Sequence, residues 1–138
     1  MRLGERVFVD SGAWIALAVA GDPYHAQAES GWQVLQASSA RLVSSVPVMI
    51  ETFTFLDRNA SRDDALRWRQ SVAAVRRLAI ITCTARDLAA AWRELEQTRL
   101  QGLSLVDASS FVLMRARGIA RAFAFDYHFT AVGFQPVA

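Results

Sequence analysis

The sequence contains no lysine, and this absence excludes several kinds of catalytic site. All fifteen basic residues are arginine. A P-loop nucleotide site, a Schiff-base enzyme and a phospho-acceptor receiver domain each need a lysine. We therefore expect none of these activities.

Cysteine and long apolar segments are also scarce. The single cysteine, Cys83, cannot form an internal disulfide, and its apolar run, 78–83, predicts a small buried core residue. The longest apolar stretch near the N-terminus, 13–20, is far shorter than the ~20 residues that a membrane helix needs. Charged residues at the start precede a strand-like segment, not the apolar core of a signal peptide. The sequence predicts a soluble, cytoplasmic protein that is not exported.

What the chain does contain is enough apolar sequence for one compact core. It has 138 residues, of which 53% are hydrophobic, and no linker, repeat or low-complexity segment. We expect residues 1–138 to form a single domain. Strand-like segments alternate with helical ones, which is typical of an α/β fold with a mostly parallel sheet and helices on both sides.

The boundaries of these elements follow from turn and capping signals. The predicted strands are 7–9, 41–44, 79–82 and 122–125, with an edge strand at 134–137. The predicted helices are 13–20, 23–37 with Asp22 as its cap, one that starts at Pro47, 61–78, 84–102 and 104–118.

Two of the predicted strands run into an aspartate, at Asp10 and at Asp126. Parallel strands share a carboxyl edge, so the two carboxylates converge on one crevice if the strands are neighbours. The alternative for the first strand is structural, because Asp10 or Ser11 could cap the helix that follows.

Two further acids, Glu51 and Asp107, lie in apolar surroundings. A lone buried carboxylate costs several kcal/mol unless it is paired or bound to a cation. Four such acids, with only two histidines in the chain, indicate a hard divalent cation such as Mg²⁺ or Mn²⁺ and not zinc. Asp107 also fits a capping box with Ser104, and the two roles are compatible.

The segment 57–77 carries six arginines against three acids. Arginines at helical spacing form a solvated face in many proteins, but they also suit phosphate because the guanidinium donates two hydrogen bonds at once. Within this segment, Arg67, Trp68 and Arg69 combine charge with an aromatic ring and are candidates for binding single-stranded RNA. The alternative for Trp68, as for the other three tryptophans, is core packing.

Several of these motifs together resemble PIN-domain ribonucleases, and within them the VapC toxins of VapBC toxin-antitoxin systems. The resemblance covers essentially the whole chain, and its motifs are the following: Val9-Asp10-Ser11, Glu51, Ser104-Leu105-Val106-Asp107-Ala108 and Phe125-Asp126-Tyr127-His128-Phe129. It implies a three-layer α/β/α domain with a sheet of four or five strands and a Mg²⁺- or Mn²⁺-dependent nuclease site. The acidic quartet would be Asp10, Glu51, Asp107 and Asp126, supported by the Ser11 hydroxyl.

The same resemblance implies an activity and partners. The protein would be an endoribonuclease toxin that cuts structured RNA such as tRNA, forms a homodimer and is restrained by a small antitoxin. The antitoxin would fill a groove with an apolar helix and place a basic side chain in the acidic site.

One position departs from the family pattern. Relatives often have threonine two residues before the last aspartate, where this chain has Ala124. The missing hydroxyl favours an alternative function, a PIN-like module that binds RNA without cleaving it. A third reading, a phosphatase-like hydrolase, lacks the second aspartate that phosphoaspartyl enzymes use. His128 is interpreted as structural because Tyr127 and Phe129 flank it.

Overall fold

The computed structural model describes residue 2 and residues 4–137, which form an α/β fold around a five-stranded parallel sheet. The strands are β1 (Arg6–Val9), β2 (Arg41–Ser45), β3 (Leu78–Ile81), β4 (Arg121–Phe123) and β5 (Gln135–Pro136). The helices of the described chain are α1 (Ser11–Ala18), α2 (His25–Ala37), α3 (Val46–Asn59), α4 (Arg62–Ala73), α5 (Ala85–Gln97), α6 (Leu105–Ala116) and α7 (Tyr127–Ala131). The predicted fold class and strand number are confirmed.

The order of the strands places a crevice beside β1. The sheet runs β3-β2-β1-β4-β5, so the chain builds outward from β1 on one side and then returns to the other side with β4. In an open α/β sheet, the carboxyl ends of the two strands at such a reversal flank the usual ligand crevice. The Asp10 N–H donates to the Phe123 carbonyl at 3.1 Å, which holds these two strand ends together.

The crevice has a rigid floor because β1 is the centre of the core. Val7, Phe8 and Val9 are fully buried. The Ser44 hydroxyl of β2 donates to the Val9 carbonyl at 2.8 Å and accepts from the Trp14 indole of α1 at 3.2 Å. Helix α1 is therefore fixed to the two strands at the edge from which the acids project.

Several predicted boundaries were wrong. Helix α2 begins at His25, because Asp22 accepts a hydrogen bond from the Tyr24 N–H at 2.8 Å and closes a turn that keeps Pro23 outside the helix. Helix α4 ends at Ala73, well before residue 78, and the chain enters β3 through Arg77 in a left-handed conformation with φ 59°. Strand β4 is also two residues shorter than predicted at its end.

Two local features were not anticipated. The short helix α7 follows β4 after residues 124–126, and Asp126 caps it by accepting a hydrogen bond from the His128 N–H. Cys83 is half-buried beside α3 and not a core residue, which corrects the expectation for the lone cysteine. No helix in the part of the chain that the structure describes is long and apolar enough to cross a membrane.

Candidate active site

Asp10 lies directly after β1 with only 2% of its surface exposed. Its backbone occupies the N-cap position of α1, yet its side chain makes no capping hydrogen bond, so the capping interpretation was wrong. Within the described chain the buried Oδ1 atom has no hydrogen-bond partner at all. A carboxylate oxygen buried without a partner is costly unless a cation or a proton compensates it.

Asp107 is held in the first turn of α6 by a capping box. Its N–H donates to the Ser104 hydroxyl at 3.0 Å, and its Oδ2 atom accepts from the Ser104 N–H at 3.5 Å. Asp107 is nonetheless buried, with 6% of its surface exposed, and it lies close enough to Glu51 and Asp126 for their charges to act on it. Asp107 thus takes part in the capping box of α6 and also belongs to the acidic cluster, so the two predicted roles are compatible.

Glu51 reaches the crevice from α3, which begins directly after β2. Its Oε1 atom accepts a short hydrogen bond from the Ser11 hydroxyl, and Ser11 is itself buried. The half-buried Glu51 carboxylate is therefore oriented by a neighbour of Asp10. This contact gives Ser11 the supporting position that the family resemblance implies.

Asp126 caps α7 and contacts His128. Its Oδ1 atom accepts from the His128 N–H at 2.7 Å and lies in close contact with the His128 Nδ1 atom. The other ring nitrogen of His128, Nε2, lies 2.8 Å from the Gln101 carbonyl oxygen. Both ring nitrogens thus lie next to oxygen atoms, but the Nδ1 contact with Asp126 lacks the geometry of a hydrogen bond.

The pKa of His128 is shifted by its neighbours. Burial lowers its pKa, but the hydrogen bond to Gln101, the close contact with Asp126 and the charges of Asp126 and Asp107 outweigh burial and raise it above the usual value. Asp107 Oδ2 is also only 3.5 Å from the ring Nδ1 atom. His128 is therefore protonated more readily than a free histidine, and its contacts with the acidic cluster were missed by sequence reasoning.

Burial and mutual repulsion perturb the two most buried acids. Desolvation, the charge of Asp107 and the charge of Glu51 raise the pKa of Asp10 to about 8. Desolvation, the charge of Asp126 and the charge of Glu51 raise the pKa of Asp107 to about 6. Asp107 thus interacts with the other three predicted acids, and Asp10 also interacts with Glu51.

This cluster fits a hard divalent cation. Single ligand atoms of Asp107, Asp126 and His128 lie within 4.8 Å of one another, and His128 could serve as a ligand only through an unprotonated ring nitrogen. Asp10 is outside this group but adds a buried, unpartnered oxygen that interacts with Asp107. Carboxylate oxygens are the ligands that Mg²⁺ and Mn²⁺ prefer. A divalent ion here would also offset the repulsion that raises the pKa values of the buried acids.

The predicted RNA-binding group on α4 is only partly supported. Trp68 is 7% exposed and packs edge-on against Trp14 at 6.3 Å, so the expectation that it stacks on a base is corrected to core packing. Arg67 is exposed and forms an ion pair with Asp64, and Arg69 is exposed. The two arginines remain candidates for phosphate contact.

The His128 contacts predict an effect on turnover. If the site cleaves RNA as the family resemblance implies, we expect His128→Ala to lower kcat by about 10- to 100-fold, the usual effect of losing a group that orients a metal ligand. KM should stay nearly constant, since His128 is buried and does not face bulk RNA.

A second variant separates positioning from simple loss of fold. His128→Gln keeps a side-chain amide that can donate to Asp126 and should recover part of the lost kcat. If both variants lose activity only in proportion to the unfolded fraction seen by circular dichroism, His128 has no positioning role.

Comparisons with known proteins find similar sequences and a similar fold. The PIN-domain family model matches residues 7–135. Two curated Mycobacterium tuberculosis proteins, from strains CDC 1551 / Oshkosh and ATCC 25618 / H37Rv, are each 37% identical over 135 residues, which are 95% of this chain and 97% of the relative. Both are named 23S rRNA-specific endonuclease VapC20. The crystal structure of Mycobacterium tuberculosis VapC20, described as a sarcin-ricin loop cleaving toxin, superposes with a TM-score of 0.82 at 33% identity, covering 93% of this chain and 95% of that one.

Proposed function

The chain belongs to the PIN-domain family, and we propose from that membership that it is a divalent-metal-dependent endoribonuclease, the toxin of a type II toxin-antitoxin pair. One observation carries the proposal. Four acids from separate elements converge at the sheet edge, and the most buried of them, Asp10, has an oxygen without a partner. Residues 1–138 act in this proposal as one cytoplasmic domain.

The proposed roles follow from the position of each side chain. Asp10 and Asp107 are the principal metal ligands because they are the most buried acids. Asp126 is a ligand or a water-mediated partner of the metal. Glu51, which Ser11 orients, positions the attacking water. When bound, Mg²⁺ or Mn²⁺ lowers the pKa of that water and offsets charge on the phosphodiester.

The position of Ala124 does not by itself favour a non-cleaving module. His128 contacts Asp126 directly and can orient it without the hydroxyl that Ala124 lacks. A phosphatase-like hydrolase is not supported, since the chain belongs to the PIN-domain family and lacks the second aspartate that phosphoaspartyl enzymes use.

The proposed substrate is the sarcin-ricin loop of 23S rRNA. The relatives carry that target in their names, and the similarity extends over nearly the full length of both chains. The sarcin-ricin loop replaces tRNA, the example of structured RNA that the family resemblance implies.

The substrate is tested by incubating the protein with intact ribosomes, and separately with purified total RNA, in Mg²⁺ or Mn²⁺ with a chelator control. We expect one metal-dependent cut in 23S rRNA, mapped by primer extension to the sarcin-ricin loop. Metal-dependent cleavage confined to tRNA would replace the substrate, and an absence of cleavage in both preparations would favour the binding module.

In this proposal the antitoxin binds a groove on the surface of the toxin. Helices α1, α2 and α4 line an apolar depression of about 710 Å³ that includes Trp14, Trp32 and Trp68. Such a depression suits the apolar face of a short helix. A basic side chain of the same partner would complement the acidic quartet.

A homodimer is proposed through the face formed by α3 and α5. Large apolar side chains are exposed on this face, and they are Val46, Ile50, Phe55, Leu88 and Trp92. Four of them line one groove between the two helices. A contiguous apolar patch of this kind on a small protein marks an interaction site.

A charge placed on this face should prevent dimerisation. We expect Leu88→Glu to raise the dimer dissociation constant at least 30-fold, or about 2 kcal/mol, as measured by analytical ultracentrifugation. Leu66→Glu is the matched control, because Leu66 is 43% exposed on α4 against 40% for Leu88 on α5. An equal effect of the two substitutions would place the interface elsewhere.

A further inference from the structure

The sheet edge opposite the acids is rich in arginine. Strands β1, β2 and β4 begin at Arg6, Arg41 and Arg121, and Arg77 directly precedes β3. Arg6 lies in register with Arg41, and Arg121 lies in register with the next residue of β1. Because all the strands are parallel, four neighbouring strands each have an arginine at or just before their first residue, and these arginines lie along the same edge of the sheet.

These side chains line two adjoining concavities, which we call the amino-edge surface. The concavities enclose about 660 and 740 Å³ and share Gly4 and Arg6. The arginines that line them are Arg2, Arg6, Arg41, Arg77, Arg117 and Arg121. In the described chain Glu5 is the single acid that lines either concavity, so six positive charges face one negative charge.

Two of the six arginines are held in place without being neutralised. Arg121 pairs with Glu5 at 3.1 Å. Arg6 donates instead to the Arg117 carbonyl, and Arg77 donates to the Ser38 carbonyl at 3.1 Å. A carbonyl fixes a guanidinium but leaves its net charge, so the surface is both positive and partly preorganised.

The composition of the surface favours a phosphate-rich ligand. Apolar residues of β2 and β3 form the base of the larger concavity, but none of the large apolar side chains that are exposed in the described chain lines either concavity. A protein interface needs an apolar centre, and a membrane-binding surface needs apolar residues to insert. Arginine, in contrast, matches the geometry of phosphate with its two parallel donors.

We propose that the amino-edge surface binds the phosphate backbone of RNA at a position separate from the acidic site. The inference rests on the proposed function, since it assumes that the protein acts on RNA. Strands of four residues rise about 13 Å, so the two edges of the sheet lie on opposite sides of the core. A large folded RNA can extend around the core and contact both edges at once, whereas a short hairpin bound at the acids lies at the edge opposite the arginines.

Binding measurements on a catalytically silent protein test this surface. In an Asp107→Asn background, Arg41→Gln should weaken binding to a 23S rRNA transcript several-fold and lower the slope of log Kd against log[salt] by about 1. Binding to a hairpin that holds only the sarcin-ricin loop should change less than twofold. Arg6→Gln should act in the same direction.

Arg93→Gln is the matched control because Arg93 is exposed on α5, outside the amino-edge surface, and loses the same charge. Unchanged transcript binding in both Arg41→Gln and Arg6→Gln would overturn the inference, as would an equal loss in Arg93→Gln. A different result would contradict the proposed function alone. If the wild-type protein binds the transcript through these arginines but never cleaves it, the nuclease activity is wrong and the amino-edge surface still binds RNA.

Discussion

Asp10→Asn and Asp107→Asn are each expected to lower RNA cleavage by more than about 100-fold while the protein stays folded. Loss of a group that merely orients a metal ligand already costs 10- to 100-fold, and these two acids are the proposed ligands themselves. An amide oxygen has the same size as the carboxylate oxygen but lacks the charge that holds a divalent cation. The initial rate on ribosomes at saturating Mg²⁺ measures the effect.

Asp87→Asn is a matched control for the second of these substitutions. Asp87 forms a capping box with Thr84 on α5, just as Asp107 forms one with Ser104 on α6. Both variants should lose about 1 kcal/mol of helix capping, but only Asp107→Asn should lose cleavage. Activity near that of wild type in Asp10→Asn and Asp107→Asn would contradict the assignment of the metal ligands.

The metal-free protein should become less stable as the pH rises from about 4 to about 8. Asp10 titrates near 3.9 in the unfolded chain, but its pKa in the folded protein is raised to about 8. Between these values the folded state binds more protons than the unfolded state, so the free energy of unfolding falls with pH. The stabilisation that protonated Asp10 gives the folded protein is fully present below the pKa of the unfolded chain, and it is lost as the pH passes through the pKa of the folded protein. Asp107, with a pKa of about 6, adds a loss of the same sign.

Asp10→Asn should remove most of this pH dependence. We expect the variant to be several kcal/mol more stable than wild type at pH 8 in chelator, because the amide needs no proton to remain neutral in the core. Urea denaturation at pH 5 and pH 8 measures the difference. Added Mn²⁺ should reverse the order by stabilising wild type. A variant that is less stable than wild type at pH 8 without metal would show that the charged Asp10 carboxylate does not destabilise the folded protein.

Part of this site could be predicted from the sequence because it depends on local patterns. Asp10 and Asp126 each follow a short apolar strand, and parallel strands bring their carboxyl ends to one edge. Asp107 was predictable as a helix cap from Ser104 three residues before it. Glu51 carried the weakest local signal, since its position beside Ser11 depends on how α3 packs against α1.

Other features needed tertiary structure. The raised pKa of His128 depends in part on the carbonyl of Gln101, which is 27 residues away, and no sequence spacing encodes that contact. The amino-edge surface joins Arg6, Arg41 and Arg121, which come together only through the register of three strands. At Asp22 the sequence was ambiguous, because the same residue type caps helices and closes turns.

Calorimetric titration of Mn²⁺ into the metal-free protein at pH 7 tests the central claim most directly. The account predicts saturable binding that releases protons, because Asp10 is largely protonated at this pH and must ionise to hold a cation. The measured heat should therefore vary with the ionisation enthalpy of the buffer, and both the binding and the proton release should be lost in Asp10→Asn. No saturable binding to wild type, or equal binding to Asp10→Asn, would contradict a metal site built on the four acids.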